Sequence, residues 1–172
     1  MPSDKLIPGS ILSPLEVPKL GGGHLTLGGE HANWSLIVVY RGKHCPRCKK
    51  YLNKLNEMRQ AWADAGFEIT VVSADPVEKA QADVDEFAWE FDLGYDLSED
   101  QMAALGLYVT EPLSGSETDR RFAEPGVFVL RPDGSVLLVA ISNGPSARPD
   151  LDELLDGMVF TKNNNRPPRG TV

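Results

Sequence analysis

A chain of 172 residues, 41% of them hydrophobic, is long enough to bury about 70% of its unfolded surface as one domain, so it needs no cross-link for stability. Its 25 acidic and 17 basic residues leave a net charge of −8, which argues against nucleic acid as a partner because phosphate binding needs a broad cationic face. The opening Met1-Pro-Ser-Asp-Lys-Leu-Ile-Pro8 places no cationic segment before an apolar one, and no window approaches about 18 consecutive apolar residues, so a cytoplasmic protein without a membrane partner is expected.

In chain order, residues 1–22 carry Pro2, Pro8, Pro14 and Pro18 and lead into Gly21-Gly22-Gly23, a composition that predicts an extended, wrapping arm. His24-Leu-Thr-Leu27, closed by Gly28-Gly29, predicts a small hairpin. Ser35-Leu-Ile-Val-Val-Tyr40 is short and β-branched, as a buried strand should be. From Pro46 the apolar positions Tyr51, Leu52, Leu55, Met58, Trp62 and Ala65 recur at helical spacing, predicting one long amphipathic helix stopped by Gly66. Phe67–Ser73 reads as a second strand. Asp75-Pro76-Val77-Glu78 then supplies a cap, a first-turn proline and a capping-box acid for a helix running to about Phe91.

Gly94–Leu97 is expected to be briefly extended, and Ser98-Glu-Asp-Gln101 opens a short helix that Gly106 ends. Leu107–Glu124 lacks periodicity and predicts a long polar loop able to line a site. Pro125–Leu130, Arg131-Pro-Asp-Gly134 and Ser135–Ile141 form strand, turn and strand of an antiparallel hairpin. Pro149–Met158 is a final helix, and Thr161–Val172 an extended or disordered tail. Strand and helix alternation followed by a hairpin predicts an α/β domain over residues 1–160, with a central mixed sheet flanked by helices.

Chemistry concentrates at Arg41-Gly-Lys-His-Cys-Pro-Arg-Cys48, between the first central strand and the long helix. Two cysteines placed at random stand three apart with odds of about 1%, so the CxxC spacing carries information. Pro46 as the first helical residue puts Cys45 at the cap, facing unpaired N–H groups and the positive end of the helix dipole, which favour thiolate. Cys45 is therefore the expected nucleophile, reachable from solvent, and Cys48 the buried resolving thiol. No Asp or Glu occurs between Glu30 and Glu57, so Arg41, Lys43, His44, Arg47, Lys49 and Lys50 predict a cationic surround. His44 is a candidate nearby cation or proton donor.

This order of elements, with CxxC between strand and helix and a proline before the hairpin, resembles the thioredoxin-like superfamily. Val71-Val-Ser-Ala-Asp75, Tyr95-Asp-Leu-Ser-Glu-Asp-Gln-Met-Ala-Ala-Leu-Gly106 and Phe128-Val-Leu-Arg-Pro-Asp-Gly134 resemble its alkyl hydroperoxide reductase/thiol-specific antioxidant branch. Tyr40-Arg-Gly-Lys-His-Cys-Pro-Arg-Cys48 and Arg169-Gly-Thr171 resemble a bacterial peroxiredoxin-like group. Against the family's P-x-x-x-T/S-x-x-C pattern, Val38 stands at the proline position and Gly42 at the hydroxyl position. The arginine that the family carries before the hairpin strand is here Pro125, which by resemblance to thioredoxins would be a cis-proline holding a substrate segment. Arg120 and Arg121 are candidates to replace that arginine.

Two redox readings follow. The leading one is dithiol–disulfide exchange, in which Cys45 attacks a protein or small-molecule disulfide and Cys48 resolves the mixed disulfide. The alternative makes a hydroperoxide the oxidant, with Cys45 passing through sulfenic acid; Gly42 offers no hydroxyl to the peroxide, so this activity is expected to be the weaker. Both need a dithiol reductant and no cofactor, and a homodimer is compatible with either. A structural zinc on Cys45, Cys48 and two of His24, His31 and His44 ranks lower, because a second close ligand pair is missing. A binding module with idle cysteines ranks lowest.

Overall fold

The computed structural model describes residues 4–172; Met1–Ser3, where the expected arm begins with Pro2, lie outside the described residues. Five strands form the central sheet: β3 (Trp34–Val39), β4 (Phe67–Val72), β5 (Asp92–Gly94), β8 (Gly126–Leu130) and β9 (Val136–Ile141). Their order is β5-β4-β3-β8-β9, parallel from β3 to β5 and antiparallel across β3, β8 and β9. The sheet is mixed, as expected. β3 lies at its centre and is buried on both faces, which is why it reads as an unbroken apolar run.

Alternation along β3 divides the core. Leu36, Val38 and Tyr40 point to the face covered by α1 (Pro46–Glu57), α2 (Arg59–Asp64), α3 (Val77–Phe87) and α5 (Leu151–Asn163), whose Leu52, Trp62, Ala80 and Leu154 join that cluster. Ile37 and Val39 point to the other face, where α4 (Glu99–Ala104) contributes Met102 and the amino-terminal segment contributes Leu12, Val17 and Leu27. That segment forms the hairpin of β1 (Leu15–Pro18) and β2 (His24–Leu27). The hairpin turns at residues 19–23 rather than closing at Gly28-Gly29, so its first strand comes from inside the expected arm. The arm also bridges both ends of the sheet, pairing Ile11 with Ser135 and Lys19 with Gly94. It shields the edge at β5.

Four boundaries differ from expectation. The long helix breaks at Met58, where Arg59 Nη1 donates to the Asn56 carbonyl at 2.9 Å and to its side-chain oxygen at 3.0 Å. α3 stops at Phe87 because Ala88 turns left-handed, which lets Trp89 stack between Phe87 and Phe91 and donate to Asn53 at 2.7 Å. The polar loop contains a short ladder of β6 (Val109–Thr110) with β7 (Phe122–Ala123). α5 continues five residues past Met158, to Asn163, so the tail boundary at Thr161 falls inside it. Beyond α5 the tail packs back: Arg131 Nη2 donates to the Arg166 carbonyl at 2.7 Å.

Candidate active site

The two ladders of β3 determine what surrounds its carboxyl end. Two residues past the antiparallel pair Val39–Gly126, the register brings Arg41 opposite Glu124; three past the parallel pair Val39–Val72, it brings Gly42 beside Asp75. Both contacts form. Arg41 Nε lies 2.9 Å from Glu124 Oε2, and its guanidinium sits 5.0 Å from the centre of the Phe122 ring. Glu124 is 3% exposed, and its other oxygen accepts from Thr110 Oγ1 at 2.8 Å. Gly42 has φ of +140°, and a Cβ there would lie 2.6 Å from Asp75 Oδ1. Asp75 Oδ2 accepts from the Lys43 N–H at 2.7 Å. The carboxylate read as a helix cap thus braces the site loop, and Pro76 takes the cap position of α3 without a side-chain hydrogen bond.

Cys45 occupies the cap of α1 with extended φ and ψ of −109° and 100°, Pro46 follows in the first turn, and Cys45 Sγ accepts from the Cys48 N–H at 3.3 Å. The Cys48 thiol hydrogen-bonds to the Cys45 sulfur; with that N–H and the Arg41 guanidinium, it lowers the Cys45 pKa to about 6 against the opposing effect of burial. The same thiol contact, then burial, pushes Cys48 up. The two shifts thus run in opposite directions. Cys45 is only 1% exposed and Cys48 is fully buried, both within the core cluster of α1 and the sheet. Cys45 is not the solvent-facing thiol expected from the cap position.

The surround is not simply cationic either. Asp75, Asp83 and Glu124 are all buried and enter from other elements, filling in the acids missing between Glu30 and Glu57. Asp83 on α3 has no hydrogen-bond partner among the described residues; Lys49 Nζ stands 4.0 Å away. Burial pushes Asp83 up to about 6. An acid on a helix normally reads as surface, and the available signal was its place three residues after Ala80 on the inward face. His44 packs 4.6 Å from Phe122 with both ring nitrogens buried and unpartnered among the described residues; burial first, then Arg41, lowers its pKa. Both effects disfavour the cationic form of this ring.

Other candidates lie elsewhere. Arg120 pairs with Asp96 at 2.8 Å and Asp119 at 3.0 Å and donates to the Ala74 carbonyl at 3.3 Å, while Arg121 pairs with Glu99 at 3.3 Å and Glu111 at 2.5 Å, so both are occupied by carboxylates. Pro125 is trans, since no described peptide bond is cis, and its carbonyl accepts from the Ser142 N–H at 3.1 Å. His31 binds the Gly28 carbonyl at 2.9 Å, and no three His, Cys, Asp or Glu side chains among the described residues group as a metal site, so the histidines of the zinc reading do not join the cysteines.

Fold and site together define a thiol-dependent oxidoreductase of thioredoxin-like architecture. The family model described as "AhpC/TSA family" matches residues 8–139, and the chain belongs to that family. A search of curated proteins returned no match. Among solved structures, a peroxiredoxin-like protein from Aquifex aeolicus superposes with a TM-score of 0.77 at 19% identity, covering 92% of this chain and 89% of that one. The C45S mutant of peroxiredoxin 6 of Arenicola marina gives 0.76 at 15% identity over 92% and 74% of the two chains. Peroxidoxin BcpB from Mycobacterium tuberculosis gives 0.71 at 18% identity over 94% and 99%. At these identities the likeness is one of fold.

Proposed function

We propose that this protein is a dithiol hydroperoxide reductase. The observation that carries the reading is Cys45, 1% exposed at the cap of α1, its pKa lowered by the Cys48 contact and by the Arg41 guanidinium, which Glu124 pairs at 2.9 Å. In-line attack on a protein disulfide requires the partner's sulfur to reach the nucleophile, and burial of Cys45 opposes this. A hydroperoxide presents two oxygens at the end of a small molecule, and a charged donor beside the thiolate can polarise the O–O bond. Burial therefore supports the hydroperoxide reading over the disulfide exchange ranked first from the sequence.

The Cys45 thiolate attacks the distal oxygen of ROOH; the O–O bond breaks, and RO⁻ leaves and takes a proton to become ROH. Cys45 sulfenic acid then condenses with the Cys48 thiol, forming the Cys45–Cys48 disulfide and releasing water. Two reducing thiols restore the dithiol by exchange. Arg41 supplies the guanidinium that the family otherwise carries before the hairpin strand, and that position's neighbour, Glu124, orients it. Removing one preorganised donor typically costs about 100- to 1000-fold in rate, so Arg41 has to offset the hydroxyl absent at Gly42.

Stopped-flow oxidation of the reduced protein by hydrogen peroxide and by an organic hydroperoxide tests this. A rate far above that of a free thiol, and above exchange with a protein disulfide, is the expected result. Faster exchange with the protein disulfide would return the function to dithiol–disulfide exchange.

A further inference from the structure

Between the first turns of α1 and the segment that leads into α5 lies a groove of about 380 Å³. Arg47, Lys50 and Lys54 line it from α1, and Arg148 and Pro145 from the opposite wall. Tyr51 forms the floor and joins the walls, its hydroxyl donating to the Pro149 carbonyl at 2.7 Å. Arg148 stacks 4.8 Å over the Tyr51 ring and donates to the Pro145 carbonyl, at 3.1 Å from Nε and 2.5 Å from Nη2, so the guanidinium is held in place. Its Nη1 is buried and has no acceptor among the described residues.

Two acids stand at the groove: Asp150, which lines it and caps α5 by accepting from the Glu153 N–H at 2.9 Å, and Asp152, which pairs with Lys54 at 3.2 Å. Arg47, Lys50 and Arg148 have no carboxylate partner among the described residues. A chain of net charge −8 repels anions over most of its surface, so three unpaired cations around one cleft act as a local funnel. Arg47 stands between the two cysteines in sequence. An anion held at Arg47 therefore lies at the first turn of α1, which carries both cysteines, although neither sulfur lines the groove.

We infer that this groove binds the carboxylates of a low-molecular-weight thiol, the reductant that regenerates the Cys45–Cys48 disulfide. The volume falls in the range of small-molecule sites, and its walls are strongly charged around Tyr51, Pro145, Pro149 and Leu151. A carboxylate in the groove makes charge-assisted hydrogen bonds with Arg47 and Lys50, in the field of the Arg148 guanidinium. The bound thiolate attacks the Cys45 sulfur; the S–S bond breaks, its electron pair goes to Cys48, and Cys48 takes a proton. A second thiolate attacks the mixed disulfide on Cys45, releasing RSSR and the Cys45 thiolate, so two thiols are oxidised for each disulfide reduced. The inference rests on the proposed cycle for its reductive half only.

The test uses the full-length oxidised protein and stopped-flow reduction by three thiols: mercaptosuccinate, 3-mercaptopropionate and 2-mercaptoethanol, each rate divided by its thiolate concentration. Mercaptosuccinate should lead 2-mercaptoethanol by roughly tenfold or more, a gap equivalent to one charge-assisted contact. In about 1 M salt, where the Debye length shrinks to about 3 Å, the gap should close. Arg47→Glu with Lys50→Glu should abolish it at low salt. Equal rates per thiolate in the wild-type protein would overturn the inference without any variant. So would a charge preference confined to an acidic protein dithiol, which would make the cleft part of a protein-docking face. Oxidation of the reduced wild-type protein by hydrogen peroxide, measured separately, reports on the peroxidase reading alone, so either can fail without the other.

Discussion

Arg41 links the chemistry of the sulfur to the sheet beneath it. Its guanidinium favours the Cys45 thiolate, and Glu124 and Phe122 hold it there. Alkylation of Cys45 should therefore rise with pH through a midpoint near 6 and then level off. Arg41→Met should move the midpoint up and slow oxidation by hydrogen peroxide by about 100-fold or more, readable by stopped flow. Glu124→Gln should keep the protein folded while loosening the guanidinium, giving a smaller loss of the same kind. Because the folded state depresses the Cys45 pKa, thiolate stabilisation is complete above the unfolded thiol pKa of about 8.5 and is lost as pH falls through about 6. Gly42 is the second decisive residue. With φ at +140° and Asp75 Oδ1 2.6 Å from the place of a Cβ, Gly42→Thr should lower stability by about 1–3 kcal/mol in a denaturant melt rather than install a peroxide-binding hydroxyl.

Elements are tied to one another mainly through their ends. α5 runs beyond its apolar pattern because Lys162 Nζ donates to the Ala65 carbonyl at 2.7 Å, satisfying the carboxyl end of α2, and lies 5.6 Å from the centre of the Phe67 ring. Lys162→Met keeps the stem and removes the donor. It should cost about 1–2 kcal/mol by equilibrium urea unfolding, with the active-site rates unchanged. At α4 the capping box is local: the Ser98 hydroxyl accepts from the Gln101 N–H at 3.2 Å and the Gln101 side chain returns to the Ser98 N–H at 3.0 Å. That helix start was readable from four residues. The break at Met58 was not, because the apolar spacing continues straight through it while Arg59 and Asn56 redirect the backbone.

For the whole molecule, buried charge sets the dependence of stability on pH. Asp83 is fully buried, with both oxygens lacking a hydrogen-bond partner among the described residues, and burial raises its pKa to about 6. A carboxyl whose folded pKa lies above its unfolded value favours folding while protonated. Its penalty is absent below the unfolded value near 3.8 and fully present above about 6. Asp83→Asn should therefore stabilise the protein at pH 7.5, by about 1–3 kcal/mol, and change little at pH 3.5, when melts are compared at both. Greater loss of stability at pH 7.5 than at pH 3.5 would show that Lys49 more than compensates the buried charge.

The sequence by itself determined the features written over a few neighbouring residues: Cys45 as cap, Pro46 in the first turn, Cys48 one turn on, the buried strand before them and the hairpin after. Their causes are local, being side-chain period, proline geometry and the unpaired N–H groups of a helix start. Tertiary structure decided who stands around the sulfur. Arg41 meets Glu124, and Gly42 meets Asp75, because β3 pairs in one register with β8 and in another with β4, and neither register is written in the loop that carries the cysteines. It likewise decided that Cys45 is buried, that His44 packs on Phe122 with its pKa lowered and that Arg120 and Arg121 pair with carboxylates. A residue type and its spacing fix what a side chain can do. Burial and opposite charge, which set its pKa and its access, come from strands and helices far away along the chain, and only folding brings them together.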